Sequence, residues 1–244
     1  MKNYLFVATT FLALGTAVPA LAADLAARPY TKAPSAIATT YNWSGFYLGL
    51  NGGAAWSRDC WFSVNQNLGE GCNSPTGGMV GGQVGFNWQW QSLVLGVEGS
   101  GDWAGLSAGH LTTSPFTNPA AHVILNGEIN HIESVTGRIG AAFNNVLVYG
   151  KGGAAWIGSK YNENAFGVLA TAANATQSGW VAGVGVEYGF SPNISAALEY
   201  DYYDFGNPTL PFTAVATQTF AFNEKISEQV QAVTVRLNYR FNPF

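Results

Sequence analysis

Charge is what this 244-residue chain has least of: Asp, Glu, Lys and Arg together make up 10% of it, against about 25% in ordinary soluble proteins. So few charges cannot coat the outside of a water-soluble domain of this length. Long apolar runs are missing too. Beyond residue 22 nothing approaches the roughly 18 consecutive apolar residues that a membrane helix requires. Basic residues number 10 against 14 acidic ones and form no arm or patch, which excludes a nucleic-acid partner. What is abundant is glycine, at 30 residues, and aromatics, at 14%. The two absences are compatible if the membrane is crossed by strands, whose apolar residues occupy every second position instead of one block.

The first residues stand apart. MKNYLFVATTFLALGTAVPALA has one early charge at Lys2, an apolar stretch from Leu5 to Val18 and Ala20-Leu21-Ala22 at its end, the pattern of a secretory signal peptide over residues 1–22. Cleavage after Ala22 takes Lys2 from the basic residues and none of the acidic ones, moving the net charge from −4 to −5. Residues 23–42 carry Pro29, Pro34 and many small residues and read as an extended periplasmic segment. The remainder, 43–244, reads as one domain.

Alternation is clearest near the C-terminus, where Val233, Val235, Leu237, Tyr239 and Phe241 interleave with Thr234, Arg236, Asn238 and Arg240. The same period of two predicts about eight strands, near 45–57, 78–91, 93–104, 128–143, 146–158, 178–190, 193–204 and 226–241. Their connections alternate in length. Turns at Gln91-Ser92, Asn144-Asn145 and Ser191-Pro192 are tight, whereas 58–77, 105–127, 159–177 and 205–225 are long and rich in Asn, Thr, Ser, Gly and Pro. An even strand number, with long loops at one end and tight turns plus both termini at the other, predicts an all-β, eight-stranded antiparallel transmembrane barrel of the outer membrane.

The pentapeptide GGAAW occurs twice, ending at Trp56 and Trp156, with an echo ending at Trp103. Each Trp shares its outward parity with a residue ten places earlier: Phe46, Val146 and Leu93. Ten tilted residues rise roughly 25 Å, the height of the apolar band in such barrels. Trp56, Trp103 and Trp156 are therefore expected in one aromatic girdle, with Phe46, Trp90, Phe143, Phe190, Tyr239 and Phe241 in the other. The opposite parity sends Glu98, Asp102, Glu187, Glu199 and Asp201 into the lumen with Arg138, Lys151, Arg236 and Arg240. These are expected to interlock as a salt-bridge network, because an unpaired buried charge costs several kcal/mol.

WSGFYLGLNGGAAW (Trp43 to Trp56), GVEGSGDWAGL (Gly96 to Leu106) and VRLNYRF (Val235 to Phe241) resemble the small outer-membrane immunogenic or porin-family proteins of alpha-proteobacteria. The resemblance runs over nearly all of 43–244. It implies an eight-stranded barrel of outer-membrane-protein-A architecture, surface-exposed and contributing to envelope integrity. Its implied partners are outer-membrane lipids, lipopolysaccharide and the barrel-assembly machinery. The ending RFNPF departs from the family pattern and leaves Phe241 and Phe244 as the two candidates for the terminal aromatic that this machinery reads.

Chemistry finds little support. His110, His122 and His131 lie in or beside the second long connection near Ser107 and Ser114, but no spacing pairs a nucleophile with a base. Nor do the histidines show H-x3-H or H-E-x-x-H spacing. Gly183, Gly185 and Gly189 do not form a phosphate-binding loop. No catalytic, cofactor or metal residue is assigned, and the expected product is a monomeric, non-enzymatic barrel. The alternatives are a diffusion porin or a receptor whose loops bind a ligand such as haem, or a host surface. Cys60 and Cys72, both in the first long connection, are expected to form a disulfide in an oxidising compartment.

Overall fold

The computed structural model describes residues 41–111, 123–165 and 168–241. The expectations for the leader at 1–22, for the segment up to residue 40, and for Ser114, His122 and Phe244 lie outside the described residues. Among the described residues ten antiparallel strands form: β1 Gly45–Ser63, β2 Leu68–Asn73, β3 Thr76–Trp90, β4 Leu93–Leu111, β5 Ile124–Phe143, β6 Val146–Ala165, β7 Val168–Ser191, β8 Ile194–Asp204, β9 Thr209–Ala214 and β10 Thr219–Arg240. Eight of them close a ring in the order β1, β3, β4, β5, β6, β7, β8, β10 and back to β1. The closing seam runs from Tyr47 opposite Arg240 to Ser63 opposite Glu224. Closure leaves the ring without an edge, so the backbone groups of the spanning strands find partners inside the chain.

β2 and β9 are short additions outside the ring, β2 pairing with β1 and β9 with both β10 and β7. They correct the sequence reading, which treated 58–77 and 205–225 as loops. The ring strands also run well past their expected ends, β7 beginning at Val168 and β10 at Thr219. The reason is visible within β10. From Val233 to Tyr239 its apolar residues face outward and Thr234, Arg236, Asn238 and Arg240 face inward, whereas Ile226 and Val230 face inward and are fully buried. The alternation reverses phase where the strand leaves the apolar belt. A reader seeking outward-facing apolar residues loses the strand there.

All nine expected girdle aromatics are on the outside: Phe46, Trp56, Trp90, Trp103, Phe143, Trp156, Phe190, Tyr239 and Phe241. Between them the outer face is a belt of exposed Val, Leu and Ile. The interior is filled in layers. At the tight-turn end Tyr41, Trp43, Val94, Leu147 and Tyr149 cluster. Charged groups come next, followed by an apolar layer with Met79, Ile132, Ile157, Val181 and Val230. A second polar layer at Asp59 and Glu228 separates this from a final apolar cluster of Trp61, Leu125, Tyr161, Phe212 and Ile226.

Candidate functional site

The lumen between the two girdles holds the densest concentration of polar chemistry among the described residues. Strand parity delivers it, since inward positions of β4, β5, β6, β7, β8 and β10 carry one or two charges each. Lys151 from β6 lies 2.8 Å from Glu199 and 3.2 Å from Asp201, both on β8. Arg236 from β10 lies 2.8 Å from Glu98, on the far side of the ring, and also pairs with Glu199. Arg138 from β5 reaches Glu187 at 2.9 Å and Glu98 at 3.8 Å. Arg240 reaches Glu187 at 3.6 Å and donates to the backbone carbonyl of Trp43.

Eight of the nine charges singled out from the sequence thus join one network. Asp102 does not. It points into the same space from β4, but Gly81 stands directly opposite, and Asp102 forms none of these ion pairs.

Two tyrosines that sequence reasoning missed complete the network. Tyr47 donates to Glu98 Oε2 at 2.6 Å, and Tyr149 donates to Glu199 Oε2 at 2.6 Å. Each ring lies over a glycine that is its direct cross-strand partner, Gly85 under Tyr47 and Gly185 under Tyr149. A Cβ at either glycine would stand 2.4 Å from the tyrosine ring. Arg138 sits 3.9 Å from the centre of the Tyr149 ring, a cation–π contact in a desolvated setting. A further belt runs from Asn51 to Gln83 at 3.0 Å, from Gln83 to Asn238 at 2.8 Å and from Asn238 to Glu187 at 3.0 Å. The cavity left among Asn51, Asp102, Lys151, Glu199, Asp201 and Arg236 is about 10 Å³, at the lower limit of what one water needs.

Above the Trp girdle a second polar layer contrasts with the first, because it holds acids without bases. Asp59 and Glu228 are both fully buried and stand opposite each other on β1 and β10. Ser57 donates to Asp59, while Tyr161 (2.7 Å), Gln177 (2.9 Å) and Ser159 (3.0 Å) donate to Glu228. Among the described residues Asp59 Oδ2 has no hydrogen-bond partner. Burial first, and then the facing Glu228 carboxylate, push Asp59 up to about 7. Burial likewise raises Glu228. Higher still, burial and the neighbouring Glu70 push Glu224 up to about 8 and Glu163 up to about 7.

The two described histidines, His110 and His131, do not come together. His110 sits beside the Trp61 ring and contacts the Glu70 carbonyl at 3.3 Å, while His131 faces outward over Gly158. Among the described residues no group of three or more metal-ligating side chains forms. Cys60 and Cys72 are direct cross-strand partners on β1 and β2 and are disulfide-bonded.

The family model described as "Outer membrane protein beta-barrel domain" matches residues 8–241. A 31 kDa outer-membrane immunogenic protein of Brucella melitensis is 31% identical over 241 residues, covering 92% of this chain and 95% of that protein. A 22 kDa outer membrane protein of Rhizobium leguminosarum bv. viciae is 32% identical over 167 residues, covering 67% and 65% of the two chains. Among solved structures, the outer membrane protease OmpT of Escherichia coli superposes with a TM-score of 0.51 at 10% identity, over 81% of this chain and 97% of that one. That likeness speaks to the fold alone.

Proposed function

Because the chain belongs to the outer membrane protein beta-barrel domain family, we propose that it works as a closed, non-catalytic structural barrel that contributes to envelope integrity and presents its long connections at the cell surface. The observation that carries this reading is the lumen. Four bases from three strands each bridge to acids on other strands, and the cavity beside Lys151 and Arg236 is about 10 Å³. An eight-stranded ring is just wide enough for side chains to fill, and here they fill it with groups that hold one another in place. Apolar layers above and below support the same conclusion, since a water path would have to breach all of them.

A diffusion porin needs a continuous wet bore, and nothing in this lumen favours one. Single-channel recording in planar bilayers tests the proposal. The unmodified protein is expected to give no stable, porin-sized conductance. Sustained openings of that size would replace the closed barrel with a pore.

A further inference from the structure

The lysines and arginines of the described residues divide by facing and by height. Arg138, Lys151, Arg236 and Arg240 fill the mid-lumen. Arg58, Lys160 and Lys225 face outward, and all three stand on the surface side of the Trp girdle. Arg58 and Lys160 follow Trp56 and Trp156 along their own strands, and Lys225 lies beyond Gln231, the cross-strand partner of Trp56. The register sets one of the three apart. Lys160 stands directly opposite Glu128, an outward carboxylate on β5. Arg58 stands opposite Gln229, and Lys225 between Phe62 and Thr209, so neither faces an acid across its ladder. On the β8 side the first outward carboxylate is Asp204, two strands from Arg58, and Gln229 and the Gly206 backbone N–H already donate to its two oxygens.

Both of these bases belong to the seam that closes the ring. Up its outer face from the girdle the rungs are Trp56 with Gln231, Arg58 with Gln229, Cys60 with Ser227 and Phe62 with Lys225. At about 3.3 Å per residue and a tilt of about 40°, Arg58 stands roughly 5 Å above the girdle and Lys225 roughly 15 Å above it. Beside the upper rungs the wall is hollowed to about 630 Å³, lined by Phe62, Lys225, Asn207, Ser227 and the Cys60–Cys72 disulfide. Phe62 and Lys225 are both exposed there, and neither Lys225 nor Arg58 forms an ion pair among the described residues.

A base without an acid beside it attracts an anion, and here two bases stand at two heights above one apolar belt. A phospholipid offers its phosphate at the lower height only. A soluble acidic saccharide can reach Lys225 but has no part that belongs against the girdle beside Arg58. Lipopolysaccharide has both: acidic groups, phosphate or carboxylate, on the sugars that carry its acyl chains, and more of them on the core saccharide beyond. We propose that the outer face of the β1–β10 seam is a lipopolysaccharide site. Arg58 holds an acidic group of the lipid-bearing sugars, and the hollow above it seats an acidic core sugar, with Lys225 on the anion, Phe62 against the ring, and Ser227 and Asn207 on the hydroxyls. The site rests on the surface-facing orientation proposed above. A ligand held by residues of both strands also ties β1 to β10, the pair whose register closes the ring.

The test is affinity capture of the full-length barrel from detergent micelles that contain rough lipopolysaccharide, lipid A with its inner core, measuring the amount retained per barrel over a concentration series. The same series is run with lipid A lacking the core, with phosphatidylglycerol and with the free core oligosaccharide. Folding of each variant is checked by its heat-dependent migration on a gel. Arg58→Gln and Lys225→Gln are each expected to weaken retention of rough lipopolysaccharide roughly two- to fivefold, the scale of one exposed ion pair. Lys160→Gln, which removes the same charge from beside Glu128, should leave it unchanged. Core-free lipid A should respond to Arg58→Gln and not to Lys225→Gln. Gly69→Leu fills the hollow from a position where a Cβ meets nothing within 4 Å, and should abolish the preference for core-bearing over core-free lipid. Equal weakening by all three charge substitutions, no weakening by Arg58→Gln or Lys225→Gln, or equal retention of phosphatidylglycerol would each overturn the site. Full retention of the free oligosaccharide would overturn it too, and assign the hollow to a soluble saccharide. Conductance and epitope labelling test the closed, surface-facing barrel separately, so a failure of that reading is distinguishable from a failure of this binding pattern.

Discussion

Asp59 and Glu228 face each other across the seam that closes the ring, both fully buried and, among the described residues, with no base paired to either. The arrangement is the reverse of the mid-lumen, where every ion-paired acid has a guanidinium or ammonium group beside it. Its consequence is a pH dependence with a fixed sign. An aspartate in the unfolded chain ionises near pH 4, whereas Asp59 in the barrel keeps its proton up to about pH 7. Across that window the unfolded chain releases a proton that the folded barrel retains, so stability falls as pH rises, and it levels off above the window. Amide exchange of residues 58–63 and 224–229, corrected for intrinsic rates, is expected to show protection decreasing from pH 4 to 7. Asp59→Asn should make that profile shallower, the remaining slope coming from Glu228 and Glu224. Protection rising with pH would contradict it.

Much of the barrel between the girdles is legible in the sequence, because one rule of parity governs it and the tryptophans at 56, 103 and 156 mark where it stops. The Asp59 layer lies past that mark. Its signal was present: Asp59 keeps the parity of Asn51, Gly53, Ala55 and Ser57, and Glu228 that of Ala232 and Thr234. Extending the period beyond the tryptophans sends both carboxylates inward. What hid them is the phase reversal of the apolar residues, which makes a strand outside the membrane look like a polar loop. The pairing of Arg236 with Glu98, from strands on opposite sides of the ring, is not legible at all. It depends on side-chain reach across the bore, and no local pattern encodes that.

Glycines of opposite facing should respond oppositely to the same substitution. Gly101→Ala places its methyl in open space and restricts the unfolded chain, with an expected gain of about 0.5 kcal/mol. Gly85→Ala drives its methyl to within 2.4 Å of the Tyr47 ring and so disturbs the hydroxyl that holds Glu98, at an expected cost of about 1–3 kcal/mol. Urea midpoints of the folded-to-unfolded gel shift compare the two. Equal effects would mean that the lumen is looser than the contacts imply.

Sidedness follows from the same architecture. The tight turns at Gln91, Asn144 and Pro192 share one end of the ring with both ends of the described barrel, and the β1–β2 turn at 64–67 lies at the other. An epitope inserted between Asn65 and Gln66 is expected to bind antibody on intact cells, and one at Asn144 only after the outer membrane is opened. The reverse labelling would invert the orientation.

Within the charge network the most exposed dependency is that of Asp201, whose one ion pair among the described residues is with Lys151. Lys151 also bridges Glu199 and lies 3.8 Å from Glu98, so it is the base on which three acids converge. Lys151→Met removes the base and leaves Asp201 buried and uncompensated, while Glu199 and Glu98 keep Arg236. Breaking a buried pair from one side costs about 3–5 kcal/mol, because the stranded charge has lost its water and gained nothing in return. Pairing the change with Asp201→Asn removes the stranded charge as well. The double variant is therefore expected to be closer to the unmodified barrel than Lys151→Met alone, a coupling that contacting residues show and distant ones do not. Urea midpoints of the four proteins measure it directly. If the double variant loses as much as the sum of the singles, Lys151 and Asp201 act independently, and the lumen is a set of separately hydrated charges instead of a plug.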